Sequence, residues 1–249
     1  MRLPCLAVLA LLLCAPSARA ESPVALAIHG GAGTMSREAL SAEQEAAIRA
    51  DLDRALQAGH ALLNDGKPAL QAVIAAVQVL EDSPYFNAGK GAVFTHEGIN
   101  ELDAALMDGA SRRAGAVAGV RRVRNPIRLA EAVMSRSPHV MLTGEGAERF
   151  AESVGIELID PSYFHTEFRW KQLEAAREKA RASSALRLPP SAYFGTVGAV
   201  ALDRAGWVAA ATSTGGMTNK RWGRVGDAPI IGAGTWADAG CAVSATGWG

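Results

Sequence analysis

Residues 195–203 read Gly-Thr-Val-Gly-Ala-Val-Ala-Leu-Asp and form the most informative stretch of the sequence. The apolar run at residues 197–202 is short and belongs to a region of glycine turns, so it predicts a β-strand. A threonine that opens a strand is ordinarily explained by its high β-propensity, so Thr196 alone indicates no chemistry. What this stretch does has to be inferred from the residues around it.

The segment before this strand differs in character from the rest of the chain. Residues 168–187 carry many arginine, lysine and glutamate side chains with helix-like spacing, and the sequence Leu-Pro-Pro-Ser at residues 188–191 ends them. A charged helix that runs into two prolines is typical of a solvated linker or an exposed loop. Beyond residue 203, short strands separated by glycine turns are predicted at residues 207–212, 230–232 and 242–245.

The first half of the chain mixes strands and helices. An apolar run at residues 24–28 predicts a strand that ends in His29-Gly30-Gly31-Ala32-Gly33, and residues 114–120 predict a second strand. Helical periodicity is found at residues 42–63, 69–80 and 126–134. This order, in which strands and helices are followed by a linker and then by a run of strands, indicates a layered α+β domain rather than a strictly alternating α/β one.

Length, composition and charge exclude several classes of protein. The chain has 249 residues, of which 25 are basic and 25 acidic, so its formal net charge is zero. Without a block of lysine or arginine, this balance argues against a nucleic-acid partner. The charged fraction of 20% argues against a disordered chain. The length suits one large domain or two small ones.

Residues 1–20 have the features of a signal peptide. The apolar run at residues 5–15 is followed by Ala18-Arg19-Ala20, an A-x-A cleavage site. The run is too short to span a bilayer, so no membrane anchor is expected. We therefore expect an exported protein of the bacterial periplasm. Cleavage after residue 20 leaves Cys241 as the remaining cysteine, which predicts no internal disulfide and a small buried hydrophobic side chain.

Three local patterns bear on chemistry. The sequence His29-Gly30-Gly31 resembles the oxyanion loop of a serine esterase, but no Gly-x-Ser-x-Gly accompanies it, and the nearest match is centred on Ser213. The five histidines form no i, i+4 pair, so a histidine metal site is not predicted. Arg224 and Asp227 can hold the carboxylate and the ammonium of an amino acid. On spacing alone, a surface ion pair is the more common explanation.

Ten motifs, taken in order, resemble those of the plant-type (type III) L-asparaginases and isoaspartyl peptidases, which are N-terminal nucleophile hydrolases. The similar segments are residues 29–33, 86–95, 101–104, 107–109, 115–120, 137–141, 144–147, 195–203, 211–216 and 223–227. They extend over nearly the whole chain after the signal peptide. The resemblance implies a four-layer αββα sandwich and an enzyme that is made as an inactive precursor.

By this resemblance the precursor cleaves itself between Gly195 and Thr196. Residues 21–195 become the alpha subunit, with the linker at about 168–195, and residues 196–249 become the beta subunit. Cleavage frees the α-amino group of Thr196, whose ordinary pKa of about 7.7–8.0 allows it to act as general base for its own hydroxyl. The implied reaction is acyl transfer from L-asparagine or a β-aspartyl (isoaspartyl) dipeptide to Thr196, followed by hydrolysis. No cofactor is needed for catalysis.

The resemblance also assigns the other residues of the site. Thr214 lies beside the nucleophile, and Asn87 supports the site without contacting the substrate. Arg224 binds the α-carboxylate of the substrate and Asp227 binds its α-ammonium. The remaining assignments are an oxyanion hole of Thr246 and Gly247, further substrate contacts at Val225, Gly226, Trp248 and Gly249, and a structural sodium ion on the backbone carbonyls of Leu80, Glu81 and Phe86.

Several alternatives and partners accompany this interpretation. A glycosylasparaginase-like amidase would share the nucleophile, and a periplasmic binding protein for amino acids or dipeptides would need only Arg224 and Asp227. A serine esterase using Ser213 is a third option. The family resemblance implies a dimer of processed alpha/beta heterodimers that acts on a small-molecule substrate.

The end of the sequence leads to a separate expectation. The chain ends at Gly249 inside the motif that closes the substrate site, so we expect the beta subunit to be incomplete and this form to be unstable or poorly active. Trp248 stands where some relatives carry threonine. We expect its ring to narrow the pocket or to stack on a peptide leaving group.

Overall fold

The computed structural model describes residues 23–31, 40–182 and 195–247. The expected signal peptide, Ala32 and Gly33, the linker residues 183–194, and Trp248 and Gly249 lie outside this part of the chain. The strands are β1 (Ala25–His29), β2 (Leu102–Asp108), β3 (Ala114–Val120), β4 (Met141–Thr143), β5 (Val197–Leu202), β6 (Val208–Thr214), β7 (Thr235–Ala237) and β8 (Ala242–Ser244). The α-helices are α1 (Ala42–Asn64), α2 (Ala69–Glu81), α3 (Pro126–Arg136), α4 (Gly144–Ser153) and α5 (Glu167–Ala182).

The strands form a large and a small sheet. The large sheet has the order β1-β5-β6-β2-β3-β4, and its pairs are antiparallel except for the parallel pair of β3 and β4. The small sheet consists of β7 and β8. Strand β5, which Thr196 precedes, lies inside the large sheet between β1 and β6. The mixture of helices and sheets confirms the prediction of an α+β fold.

The two faces of the large sheet have different neighbours. In β6, Ala209 and Ala211 point into the main core, where helices α2 and α3 supply residues such as Val73 and Ile127. The alternate residue Ala210 packs instead against Ala237 of the small sheet. Side chains alternate between faces along a strand, so every second residue of β5 and β6 points to the space between the two sheets.

Local signals in the sequence explain where the helices begin. Ser41 caps α1, because its hydroxyl accepts a hydrogen bond from the Gln44 N–H while the Gln44 side chain accepts one from the Ser41 N–H. Pro126 occupies the first turn of α3, where no backbone N–H is needed. Helix α2 is apolar on nearly every side and is largely buried, as its composition predicts.

One expectation about strands was wrong. Residues 230–232 form a turn, with a single bridge from Ile231 to Thr235, because the Ile230 N–H donates to the Asp227 carbonyl and Gly232 has a φ of 90°. The strand begins only at Thr235. The sequence pattern also did not reveal β2, whose residues are almost all buried and therefore show no alternation of polar and apolar side chains.

Two expectations about exposure were also wrong. The described part of the charged segment, residues 168–182, is not simply solvated, since α5 buries Arg169 and Leu173 completely. The Arg169 guanidinium donates to the Gly91 carbonyl at 2.7 Å, which ties the helix to the rest of the fold. Cys241 is exposed rather than buried, because it lies in the turn before β8, where its N–H donates to the Asp238 carboxylate. Within the described ranges, no helix has the length and apolar character that crossing a bilayer requires.

Candidate active site

Thr196 lies directly before β5 and is 6% exposed. Val197 pairs with Ser213 in the antiparallel β5–β6 ladder, and this register brings Thr196 opposite Thr214. The Thr196 hydroxyl donates a hydrogen bond to Thr214 Oγ1 at 3.0 Å. Both side chains project toward the space between the two sheets. The structure therefore brings together the two threonines that the sequence placed in the site.

Asn87 fixes the turn that follows β6. Its side-chain N–H group donates to the Gly216 carbonyl at 2.7 Å, and its side-chain oxygen accepts from the Val93 N–H at 3.0 Å. The Gly216 N–H in turn donates to Thr214 Oγ1 at 2.9 Å. A Cβ atom on Gly215 would lie 2.6 Å from the Asn87 side-chain oxygen, so only glycine fits there. Asn87 is thus connected to Thr214 through the backbone of Gly216.

The glycine-rich end of β1 lies against Gly195. A Cβ atom on Gly31 would be 2.7 Å from the Gly195 nitrogen and 3.0 Å from its carbonyl oxygen. Gly31 also has a φ of 134°, a conformation that other residues rarely adopt. The backbone at the end of His29-Gly30-Gly31 therefore packs directly against Gly195, the residue that precedes Thr196.

His29 lies between the two sheets. Its Nε2 atom is 3.0 Å from Ser244 Oγ, which is 2.7 Å from Thr212 Oγ1. A side chain at Gly198 would collide with both His29 and Ser244, so this glycine makes the contact possible. Burial lowers the pKa of His29, although backbone groups of Thr196 and Ser244 oppose the shift. The imidazole is therefore neutral at physiological pH.

Glu81 supports β6 from the opposite face. Its carboxyl group is fully buried and accepts hydrogen bonds from the Ser213 hydroxyl at 2.6 Å and the Ile127 N–H at 3.0 Å. Burial raises the pKa of Glu81 to about 8, so the carboxyl group is mostly protonated at neutral pH. Because Ser213 is buried and bonded to Glu81 while His29 contacts Ser244, the geometry gives no support to a serine esterase.

The predicted substrate residues 224–227 form a loop beside the small sheet. A Cβ atom on Gly226 would lie 2.8 Å from a terminal nitrogen of Arg224, so the guanidinium group lies close to Gly226. Val225 is exposed, and Asp227 starts the turn that its carbonyl forms with the Ile230 N–H. Every predicted residue of this loop is thus at least partly accessible.

A hydroxyl network connects this loop with β6. The Thr235 hydroxyl donates to the Ala228 carbonyl at 3.0 Å and is 2.7 Å from Thr212 Oγ1. Thr212 lies two residues before Thr214 on the same face of β6. The network therefore links the backbone that follows Asp227 to the strand that carries Thr214.

The predicted oxyanion-hole residues follow β8. The Ala245 N–H donates to the Gly234 carbonyl at 2.8 Å, and this bond fixes the backbone just before Thr246. Thr246 is half-buried and Gly247 is exposed. Trp248 and Gly249, the last two predicted substrate contacts, lie outside the described residues.

A buried pair of charged groups near Thr214 was not predicted as part of the site. Asp103 is paired with Thr214 across strands β2 and β6 and is 1% exposed. The Lys220 ammonium group is also buried, lies 3.1 Å from the Glu101 carbonyl oxygen, and interacts electrostatically with Asp103. The feature of the sequence that could have pointed to this pair is the single aspartate inside the otherwise apolar run at residues 102–107.

Four buried polar atoms have no hydrogen-bond partner within the described ranges. They are His29 Nδ1, Glu81 Oε2, Asp103 Oδ2 and Thr218 Oγ1. His29 and Asp103 lie on the face of β6 that carries Thr214, Glu81 contacts Ser213 on the opposite face, and Thr218 lies in the turn after β6. Most buried polar groups in proteins are hydrogen-bonded, so such exceptions are informative about function.

The loop predicted to hold sodium has the appropriate chemistry. The backbone carbonyl oxygens of Glu81 and Phe86 occupy space that a Cβ atom on Gly89 or Gly91 would fill. Neutral carbonyl oxygens are the type of ligand that hard cations such as sodium take. The Leu80 carbonyl accepts a hydrogen bond from the Ser83 N–H at 3.3 Å. Among the described residues, no group of three or more His, Cys, Asp or Glu side chains is arranged to hold a metal ion.

Comparison with known proteins gives consistent matches. A family model described as Asparaginase matches residues 22–249. The chain is 51% identical over 228 residues to an isoaspartyl peptidase of Escherichia coli (strain K12), which covers 90% of this chain and 71% of that protein. It is 44% identical over 235 residues to a plant-type L-asparaginase of Pyrococcus abyssi, covering 91% and 74%. It is 43% identical over 229 residues to an isoaspartyl peptidase/L-asparaginase of Homo sapiens, covering 92% and 72%.

Proposed function

This chain belongs to the plant-type asparaginase family of the N-terminal nucleophile hydrolases, and from that premise we propose that it hydrolyses L-asparagine and β-aspartyl (isoaspartyl) dipeptides. The reaction breaks the side-chain amide bond of the aspartyl group. The observation that carries the proposal is the buried Thr196 hydroxyl, hydrogen-bonded to Thr214 at the start of β5. This is where the family places its nucleophile.

Maturation is the first chemical step that we propose. The Thr196 hydroxyl oxygen attacks the Gly195 carbonyl carbon, and the peptide bond between these residues is replaced by an ester. Water then hydrolyses the ester, which leaves a carboxylate on Gly195 and a free amine on Thr196. The small size of Gly195 and Gly31 supports this step, because the attacked carbonyl needs freedom to bend out of its ordinary geometry.

The matured Thr196 supplies both the nucleophile and the base. Its α-amine, with an ordinary pKa of about 7.7–8.0, accepts the hydroxyl proton as the oxygen attacks the substrate amide. The amine then donates that proton to the departing ammonia or amino acid. Thr214 and Asn87 hold the hydroxyl in position through the hydrogen bonds described above. Water cleaves the aspartyl ester to complete the cycle.

The remaining residues recognise the aspartyl group and its transition state. Arg224 pairs with the α-carboxylate, and Asp227 accepts from the α-ammonium. Thr246 and Gly247 donate to the tetrahedral oxyanion, a contribution that commonly amounts to several kcal/mol. Gly226 leaves room for the Arg224 guanidinium. Val225, Trp248 and Gly249 complete the substrate contacts in this proposal.

The family also supports the wider organisation of the protein. We propose a four-layer αββα sandwich, of which the described helices and two sheets are a part. Residues 21–195 and 196–249 belong to the alpha and beta subunits, and two such heterodimers associate. The signal peptide at residues 1–20 directs the protein to the periplasm. Sodium bound to the carbonyls of Leu80, Glu81 and Phe86 would stabilise the loop after α2.

The proposal is tested by intact-mass spectrometry and substrate assays on the wild-type protein and on Thr196→Ala. We expect two wild-type fragments that meet at Gly195/Thr196, with ammonia released from L-asparagine and leucine from β-aspartyl-leucine. The variant should stay uncut and inactive. Cleavage that persists in Thr196→Ala would overturn the proposal.

Two further outcomes distinguish the alternatives. A wild-type protein that binds asparagine without turnover would indicate a periplasmic binding protein. Faster hydrolysis of asparagine that carries N-acetylglucosamine on its side-chain nitrogen would indicate a glycosylasparaginase-like amidase.

A further inference from the structure

Asp103 is a carboxylate in an otherwise apolar strand. It pairs directly with Thr214 in the antiparallel β2–β6 ladder. Directly opposed residues in such a ladder project to the same face, with Cβ atoms about 4.5–5.5 Å apart. Its neighbours Leu102 and Ala104 belong to the main core on the helical face. The Asp103 side chain is therefore on the face of Thr214 and Thr196.

The Asp103 carboxylate is held by one oxygen only. Its Oδ1 atom accepts a hydrogen bond from the Gly119 N–H at 2.8 Å. Its Oδ2 atom is buried and has no hydrogen-bond partner within the described part of the chain. Burial raises the pKa of Asp103, and Lys220, the Gly119 N–H and Arg224 oppose the increase. The carboxylate is thus anchored to Gly119 at a register irregularity of the β2–β3 ladder, on the face that carries Thr214, and its Oδ2 atom is able to accept a proton.

The Thr214 hydroxyl needs an acceptor for its own proton. Its oxygen already accepts one hydrogen bond from the Thr196 hydroxyl and another from the Gly216 N–H. A hydroxyl oxygen has two lone pairs, so both are used and the proton must point elsewhere. The buried carboxylate on the opposite strand, Asp103, supplies the complementary group.

Autocleavage needs such an acceptor more than substrate hydrolysis does. In the uncut chain the Thr196 nitrogen is a peptide amide, so it cannot act as a base. The neutral imidazole of His29 is nearby, with Nε2 at 3.0 Å from Ser244 Oγ and Nδ1 without a hydrogen-bond partner among the described residues. The Thr196 hydroxyl donates to Thr214 rather than to either imidazole nitrogen. The hydrogen-bonded path for this proton therefore runs through Thr214.

We propose that Asp103 receives, through Thr214, the proton that Thr196 loses during autocleavage; this inference rests on the proposed function. The Thr196 proton moves to Thr214 Oγ1 while the Thr214 proton moves to Asp103 Oδ2 through one bridging water, because Oδ2 is not within hydrogen-bond distance of the Thr214 hydroxyl. Thr196 Oγ1 bonds to the Gly195 carbonyl carbon, and the bond from that carbon to the Thr196 nitrogen breaks. The nitrogen takes the proton back by the same route, and water hydrolyses the ester. Asp103 acts through Thr214 and is a positioning residue in this step.

Charged groups on several elements influence the pKa of the Asp103 carboxyl group. Glu101 precedes β2 and faces Lys220, whose ammonium lies 3.9 Å from a Glu101 carboxylate oxygen. Arg121, after β3, forms a 2.7 Å ion pair with Glu101. Arg224 lies in the loop after Lys220 and acts on both Lys220 and Asp103. The Lys220 cation favours the ionised form of Asp103, which is the form that accepts a proton.

The test measures the rate of autocleavage by intact mass after uncut protein is transferred to buffers from acidic to alkaline pH. The wild-type rate should rise with pH to a plateau, because Asp103 must be ionised. In Asp103→Asn the rise should disappear and the plateau should fall by about 100-fold or more, which is typical for loss of a general base. Asp108→Asn, at the far end of the same strand, should keep the wild-type profile.

A second set of variants keeps the inference testable if Asp103→Asn does not fold. Lys220→Met should move the rising part of the profile to higher pH, because loss of the cation makes Asp103 harder to ionise. Lys220→Arg should restore the wild-type position. A merely structural role for Asp103 would not shift the profile in this way. Any cleaved Asp103→Asn protein should hydrolyse asparagine far better than it matures, since the Thr196 amine then serves as base.

Four results would overturn the inference. An unchanged profile in Asp103→Asn, or an unshifted one in Lys220→Met, would exclude a proton on Asp103. Loss of the rising part in His29→Asn alone would assign the proton to the imidazole. A wild-type chain that stays uncut at every pH would overturn the proposed maturation as well, so the two failures are distinguishable.

Discussion

Gly31 and Gly195 are in backbone contact: a Cβ atom added to Gly31 would lie 2.7 Å from the Gly195 nitrogen. These residues are 164 positions apart in the sequence. They meet because β1 pairs with β5, with His29 opposite Gly198. The glycine-rich end of β1 therefore forms one wall around the peptide bond that we propose is cleaved.

Gly31→Ala is expected to slow or abolish autocleavage. The added methyl group would push Gly195 away from its position before Thr196, and a φ of 134° is strained for alanine. Intact mass after incubation measures the uncut fraction. Gly66→Ala is the matched control, because Gly66 also has a positive φ but nothing lies within 4 Å of its added Cβ. Equal cleavage in both variants would contradict the prediction.

Gly226→Ala is expected to raise the KM for asparagine about tenfold, a change of about 1.4 kcal/mol in binding, while autocleavage continues. Its Cβ atom would lie 2.8 Å from a terminal nitrogen of Arg224 and would displace the guanidinium. Steady-state ammonia release gives KM and kcat. Gly146→Ala serves as the control, since its nearest neighbour is the Arg149 side chain at 4.0 Å. A normal KM in Gly226→Ala would separate Arg224 from substrate binding.

Asn87→Asp is expected to lower kcat by about 10- to 100-fold. The Gly216 carbonyl would lose its donor and face a carboxylate oxygen instead. This change should lower the free energy of unfolding by about 1–3 kcal/mol. Asn100→Asp is a useful comparison, because Asn100 donates to the carbonyls of Ala92 and Val93 and does not contact Gly216. Both variants should melt earlier than wild type. Only Asn87→Asp should lose turnover per cleaved site.

Glu81→Gln is expected to flatten the dependence of stability on pH. The pKa of Glu81 is raised from 4.5 to about 8 in the folded protein, so the unfolded state loses its proton first as pH increases. The contribution of Glu81 is fully present below about pH 4.5 and is lost as pH rises through about 8. Glutamine keeps an oxygen for Ser213 and Ile127 but does not titrate.

Melting temperatures measured from pH 5 to pH 9 check this prediction. The wild-type value should fall over this range by more than that of Glu81→Gln. An equal fall in melting temperature for the two proteins would show that the Glu81 carboxyl group is not protonated at neutral pH.

The sequence by itself predicted much of the surroundings of Thr196. The family resemblance carried by residues 195–203 and the other motifs predicted that Thr196, Thr214 and Asn87 belong to one site, and the structure brings these residues together. The proline at residue 126 marked the beginning of a helix, because this signal acts within one turn. Local patterns of this kind depend on neighbouring residues and can be read directly from the chain.

Only the tertiary structure decided which distant groups meet. Strand β2 was not predicted, because a strand buried on both faces lacks alternation, and the pairing of Asp103 with Thr214 was hidden with it. The burial of Arg169 and Glu81 likewise depends on packing between elements far apart in sequence. Pairing register and burial are set by the whole sheet and its covering layers. Patterns within single segments of the sequence therefore show which residues are present but do not reveal which distant residues come into contact.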